Sequence, residues 1–190
     1  MKMRQLSDAE IIESVKKGNS ADYSILVDRY KNKALALLKR MLKNEFDAEE
    51  VLMDCFLKVY HNLSSFKFES KFSTWFYRIV YNTALTKLSV KKYRTENEMQ
   101  SIDELYYLES KYAADEFNRT DIASMVKKIV NELPVKNAAV VTMFYLEDMS
   151  CEEIADVLQI SEANVKVILF RSRNMLKEII EKKNLLSELL

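Results

Sequence analysis

Ser150-Cys-Glu-Glu-Ile-Ala-Asp-Val-Leu-Gln-Ile-Ser161-Glu-Ala-Asn-Val-Lys-Val-Ile-Leu-Phe-Arg-Ser-Arg173 decides the fold of this chain. It reads as a short helix, a break at Gln159-Ile160 and a longer helix from Ser161, which is a helix-turn-helix. Ser150 with Glu153 three residues later is a capping box, in which each side chain satisfies an orphan N–H at the helix start. Ile154, Ala155, Leu158, Ile160, Val165 and Leu169 stand where such a pair needs its small core. The second helix carries Lys166, Arg171, Arg173 and Lys177 and no acid between positions 163 and 177. A locally cationic helix behind a capped turn suits a DNA major groove and its flanking phosphates. The competing reading is a solvated face of an ordinary bundle.

The segments around this motif are also helical in pattern. Downstream of position 120, helices are expected over 121–133, 134–146, 150–158 and 161–183, with Pro134 in a first turn, where its missing N–H costs nothing. In the first half, Ser7 with Glu10 forms another capping box, and Gly18 suits the residue just past that helix. Residues 21–43 form a long amphipathic stretch, with Ile25, Leu26, Tyr30, Leu37, Leu38 and Met41 near helical spacing. Asp47 with Glu50 marks a third start, followed by the apolar stripe Val51, Leu52, Cys55, Phe56, Val59 and Leu63. Residues 64–71 are polar and aromatic and read as a loop. Ser73 is positioned to cap a helix through Trp75, Phe76, Ile79, Val80 and Leu88 to about Tyr93. Residues 95–120 read as an acidic linker with room for one short helix. The expected fold is all-α, with two small helical domains, 1–94 and 121–190, joined by that linker.

Composition excludes much else. The 190 residues include one Gly and one Pro. The dinucleotide fingerprint and the phosphate-binding loop each need at least two glycines, so neither can be written. Tight hairpins favour Asn-Gly or Asp-Gly, which are absent, so a hairpin-rich β fold is excluded as well. Two cysteines and one histidine cannot make a four-ligand zinc site without carboxylates, so no metal or cofactor is expected. No nucleophile–base set assembles, and an enzyme is the weakest reading. The longest near-apolar stretch is far short of the ~20 residues that span a bilayer, so no membrane insertion is expected. The N-terminus meets acids too soon for a signal-peptide core. The expectation is a soluble protein of the cytoplasm.

The formal net charge is zero, but residues 1–94 carry 18 Lys+Arg against 11 Asp+Glu. Residues 95–120 carry 2 against 7, and residues 121–190 carry 9 against 11. Within the basic half, 71–94 hold six cations and no acid. A helix this basic can hold a nucleic-acid backbone by neutralising phosphates. The loop before it sets Phe66 and Phe68 beside Ser and Lys, which supplies a stacking surface and hydrogen bonds for an extruded base.

Two motif sets, in order, resemble one family. Leu133-Pro134, Phe144-Tyr-Leu-Glu147, Ser150-x-Glu-Glu-Ile-Ala155, Ile160-Ser161, Val165-Lys166 and Leu169-Phe-Arg-Ser-Arg173 are similar to the C-terminal domain of bacterial sigma factors of the extracytoplasmic-function group. Asp47-Ala-Glu-Glu-Val51, Asp54-x-Phe56, Phe72-Ser-Thr-Trp75, Tyr77-Arg-Ile79 and Asn82-x-Ala84 resemble that group's N-terminal domain. The resemblance implies a transcription initiation factor that binds core RNA polymerase and promoter DNA. An anti-sigma factor would be a further partner, and the free chain would be a monomer. Polymerase contact would fall to Asp54, with Glu50 and Phe56. The minus-ten element would meet Phe66, Phe68, Lys71, Trp75, Arg78, Asn82, Lys87, Lys91 and Lys92. The minus-thirty-five element would meet Ser161, Asn164, Lys166, Arg171 and Arg173. The linker would run toward the RNA exit path. Met53, Asp148, Gln159, Val167 and Ile168 depart from the family's usual Gln, Gly, Gly, Ser and Arg. Trp75 keeps two readings, core packing and DNA contact, with core packing the stronger because Phe72, Phe76 and Ile79 surround it. A free-standing helix-turn-helix regulator is the alternative function, and a helical interaction module without DNA the third.

Overall fold

The structure, a computed structural model, describes residues 6–99 and 122–183. Eight α-helices and no strand occur among them: α1 Asp8–Lys16, α2 Tyr23–Leu42, α3 Glu45–Asn62, α4 Phe72–Met99, α5 Ile122–Asn131, α6 Val135–Leu146, α7 Cys151–Leu158 and α8 Glu162–Lys182. Both capping boxes form, with Ser7 accepting from the Glu10 N–H and Ser150 from the Glu153 N–H. Gly18 follows α1 at φ 103°, a conformation that glycine adopts at no steric cost.

Expected boundaries move in three helices. α3 starts at Glu45, not at Asp47, because Asn44 is extended and its side chain accepts the Asp47 N–H at 2.9 Å. Asn is as strong a cap as Asp and stands three residues earlier. α4 starts at Phe72, so Ser73 lies inside the helix, and it runs to Met99, five residues into the expected linker. Pro134 is the N-cap of α6, one position before the first turn. The rest of the linker, with its expected short helix, lies outside the described residues.

Turns that glycine would ordinarily make are made here without it. Lys43, Phe68, Asp148 and Gln159 all take φ between 51° and 60°. Asp148 and Gln159 are the two positions where the family resemblance leads one to expect Gly. Gln159 closes α7, its N–H donating to the Ala155 carbonyl. Its side chain adds a bond from Nε2 to the Asp156 carbonyl at 2.7 Å.

One apolar core joins the helices of the first half to α6 and α7. Ile11, Leu26, Leu37, Leu38, Val51, Cys55, Phe76 and Val80 share it with Ala139, Val140, Met143, Ile154, Val157 and Val165. A second cluster of Val130, Leu133, Ala138 and Val141 meets Met175, Leu176 and Ile179 of α8. Polar bonds follow the same junction. The nearly buried Glu147 carboxylate accepts from the Tyr77 hydroxyl at 2.7 Å and pairs with Lys33 at 3.1 Å. Burial and that neighbouring carboxylate push the Tyr77 phenol well above its usual range. Lys71 pairs with Glu153 at 2.9 Å.

Two stability outcomes follow from this packing. Met143→Ala should cost about 2–5 kcal/mol. Because the core is shared, far-ultraviolet dichroism and Trp75 fluorescence should report one coincident transition in urea, shifted in the variant; two separated transitions would contradict the shared core. Gln159→Gly should stabilise by about 0.5–1 kcal/mol, as relief of the left-handed strain outweighs the entropy that glycine adds. Calorimetry should find the midpoint raised by roughly 1–4 °C.

Candidate nucleic-acid and polymerase interfaces

α3 has two opposite faces. Val51, Cys55 and Val59 point into the core. Phe46, Met53, Leu57 and Tyr60 share the outer face, and Met53 and Leu57 are 69% and 57% exposed. Asp54 and Glu50 are exposed beside this strip. Phe56 is not part of it: its ring packs on Phe76 at 5.3 Å between centroids, and its carbonyl accepts the Tyr23 hydroxyl at 2.7 Å. Among the expected polymerase contacts, Asp54 and Glu50 are therefore accessible, while Phe56 supports the core. The exposed apolar strip escaped sequence reading because an apolar residue at helical spacing reads as core.

The aromatic loop divides in the same way. Phe66 is 5% exposed, wedged against Phe68, Phe72 and Trp75. It is a core residue and offers no face to a base, contrary to expectation. Phe68 is 41% exposed, held at φ 60°. Lys16 fixes the loop from α1: its ammonium donates to the Phe66 carbonyl at 2.6 Å and sits 4.8 Å from the centre of the Phe68 ring. Trp75 is half-buried against Phe66 and Phe72, which supports the packing reading.

Beyond the loop, α4 presents Asn82, Lys91 and Lys92 to solvent, with Lys87 and Arg78 half-buried. The Arg78 Nε is buried without a hydrogen-bond partner. Lys87 and Lys91 reach across to α3. Lys87 pairs with Glu50 at 2.6 Å and Asp47 at 3.4 Å, and Lys91 pairs with Asp47 at 3.0 Å. These residues and Asp54 line a groove of about 450 Å³ between α3 and α4. Desolvation works against the Asp47 charge, but hydrogen bonds from Lys91 and Lys87 outweigh it and hold the carboxyl below its usual range. The basic helix is thus partly neutralised by its neighbour, an arrangement that sequence alone does not contain. The pairs Lys87–Glu50 and Lys91–Asp47 are each exposed on one side, and pairs of that kind are worth only ~0–1 kcal/mol.

α8 turns Val165, Leu169 and Ser172 inward. Ser161 caps it, accepting the Asn164 N–H at 3.3 Å. Ser161, Asn164, Lys166, Arg171 and Arg173 are all exposed. Lys166 pairs with Glu162 one turn back at 2.7 Å. Arg173 is oriented from α6: its Nε donates to the Tyr145 hydroxyl at 2.7 Å and its guanidinium lies 5.8 Å from that ring's centre. Val167 and Phe170 are exposed on the same helix, a second apolar feature that periodicity did not distinguish from core. Among the described residues, no group of side chains could hold a metal ion, and no helix is long and apolar enough to cross a membrane.

Comparison with known proteins agrees with this geometry. The model of sigma-70 region 2 matches residues 26–94, and that of sigma-70 region 4 matches 123–176. The chain is 31% identical over 184 residues to the ECF RNA polymerase sigma-E factor of Haemophilus influenzae, covering 93% of this chain and 97% of that one. It is 31% identical over 175 residues to the ECF RNA polymerase sigma factor SigW of Bacillus subtilis, covering 88% and 93%. In fold it is similar to CnrH, solved with the cytosolic domain of CnrY, at a TM-score of 0.65 and 19% identity over 90% of this chain and 96% of that one. It is also similar to the Bartonella quintana sigma factor RpoE, solved with the anti-sigma factor NepR, at 0.66 and 18% over 84% and 97%. With both sigma-70 regions in order and full-length relatives above 30% identity, the chain belongs to the extracytoplasmic-function sigma factors and is a non-catalytic, promoter-specific transcription initiation factor.

Proposed function

We propose that three surfaces, the first two adjoining at the groove between α3 and α4, divide the work of initiation. The outer face of α3, with Asp54 and Glu50 beside Met53 and Leu57, docks on core RNA polymerase. Phe68, with Lys71, Arg78, Asn82, Lys87, Lys91 and Lys92 along α4, takes the minus-ten element, and Trp75 backs the loop. Ser161, Asn164, Lys166, Arg171 and Arg173 position α8 on the minus-thirty-five element. Residues 1–94 and 121–190 act as the two functional halves. The observation that carries this reading is the exposure of all three surfaces on different helices of one core. The factor works in the cytoplasm, where its polymerase and promoters are. An anti-sigma factor is a further partner, as for the Bartonella quintana RpoE solved with the anti-sigma factor NepR.

The packing seen here belongs to the free chain on this reading. The two promoter elements lie about 25 base pairs apart, or roughly 85 Å at ~3.4 Å per pair. Yet Lys71, beside the minus-ten loop, touches Glu153 at the start of the helix-turn-helix. Both elements cannot be engaged until the halves separate. The free protein, with zero net charge and its halves closed, binds duplex weakly.

Leu57→Glu should abolish holoenzyme formation in gel filtration with core polymerase while leaving the helical dichroism unchanged, since Leu57 is outside the core. Retained binding would remove the α3 face from the docking surface. Phe68→Ala should assemble normally but lower open-complex formation by roughly five- to a hundredfold, the loss of one base stack. Permanganate footprinting reads that directly, and wild-type melting in the variant would reject Phe68 as the stacking residue.

A further inference from the structure

We infer that Val167 reads thymine: with Ala163 and Phe170 it forms an apolar ridge on α8 that contacts C5-methyl groups in the major groove. The inference rests on the assignment of α8 to the minus-thirty-five element and specifies how that helix discriminates bases. At 100° per residue, Val165, Leu169 and Ser172 define the inward side of α8. Ala163, Val167 and Phe170 then lie within about 60° of one another on the opposite side. All three face solvent, Val167 at 45% and Phe170 at 62% exposure.

The cations stand on either side of this ridge rather than on it. Lys166 and Arg173 fall on one edge and Arg171 on the other, and no acid occurs between positions 163 and 177. Two cations on one edge of an apolar ridge and one on the other match two phosphate strands flanking a groove floor. Arg173 is held in place by the Tyr145 hydroxyl, which fixes that edge. On the floor of a major groove the apolar feature of the base edges is the thymine methyl; the other marks are hydrogen-bond donors and acceptors. Val167 has neither donor nor acceptor, so over guanine, cytosine or adenine it would cover polar atoms with nothing in return, whereas over thymine, whose O4 is also polar, it gains the methyl contact. Ala163 is small enough to let the first turn of α8 approach closely. The ridge therefore favours thymine by burying its methyl and disfavours the other bases by desolvating them.

The test uses holoenzyme assembled from core polymerase and the full chain. A randomised minus-thirty-five library first yields the preferred sequence, and each of its thymines is then replaced by deoxyuridine, which differs by that methyl alone. At one or more positions the replacement should weaken binding about fourfold, the worth of one buried methyl. Val167→Ser should bring the thymine-to-uracil ratio at that position to one while leaving the salt dependence intact. Unchanged dichroism shows that this exposed substitution has not disturbed the fold. Equal binding of thymine and uracil throughout, or a ratio that survives in Val167→Ser, overturns the inference and leaves the ridge as a protein-facing surface. A library with no preference in this region overturns the assignment of α8 itself, at a step before thymine and uracil are compared.

Discussion

α6 must be covered on both sides, and the arrangement of the other helices follows from that. Residues 138–143 are six consecutive positions with almost no exposure. A helix apolar all round is stable only when enclosed. Ala139, Val140 and Met143 meet the core of the first four helices, while Ala138 and Val141 meet the cluster that α5 and α8 complete. Remove the first contact and α6 exposes one stripe to water; remove the second and α8 loses its support. The helix-turn-helix is presented outward because its scaffold helix is occupied on both faces.

That enclosure also governs how the molecule opens. The ion pairs across the junction are exposed on at least one side, and pairs of that kind contribute little. The apolar contact of α6 and α7 with α2 and α4 stabilises the closed arrangement far more, since burial is worth roughly 25 cal/mol per Å². Separation of the halves therefore needs compensation from new contacts. The exposed strip of Met53 and Leu57 on α3 is available for such contacts without disturbing the core, because it faces away from it. On the proposed reading, docking by α3 and opening at α6 would use different surfaces that a single partner could couple.

The starts of α1 and α7 were legible because capping is local: a Ser and a Glu three residues apart satisfy each other's backbone N–H groups within a single turn. The competition between Asn44 and Asp47 was not, since both residue types cap equally well and the outcome shows only in the backbone, where Asn44 is extended and its side chain accepts the Asp47 N–H. The site was legible in charge and partly misread in burial. Phe66 and Phe68 are two residues apart in one loop, and nothing in their types says which turns inward. On α3 the stripe of Val51, Leu52, Cys55, Phe56, Val59 and Leu63 accounts for the core, and nothing in the types of Met53 and Leu57 marks them as a second, exposed strip. The pairing of Lys87 and Lys91 with Asp47 and Glu50 depends on the packing of α3 beside α4 and leaves no trace in either segment alone.

The left-handed residues fall into two kinds. Lys43 and Gln159 close helices, where a left-handed residue lets its N–H reach a carbonyl of the preceding turn. Asp148 joins α6 to α7 ahead of the Ser150 cap, and Asp tolerates this conformation better than most residues. Phe68 has none of these excuses: it closes no helix, and its bulk makes the conformation costly. The surrounding contacts hold it there, with Lys16 bonded to the Phe66 carbonyl and lying over the Phe68 ring. Relaxing Phe68 to an extended backbone would redirect the ring away from the edge of Phe66. These contacts therefore keep a half-exposed aromatic face in one orientation beside the basic helix, which on the proposed reading would spare the cost of ordering it when a base binds.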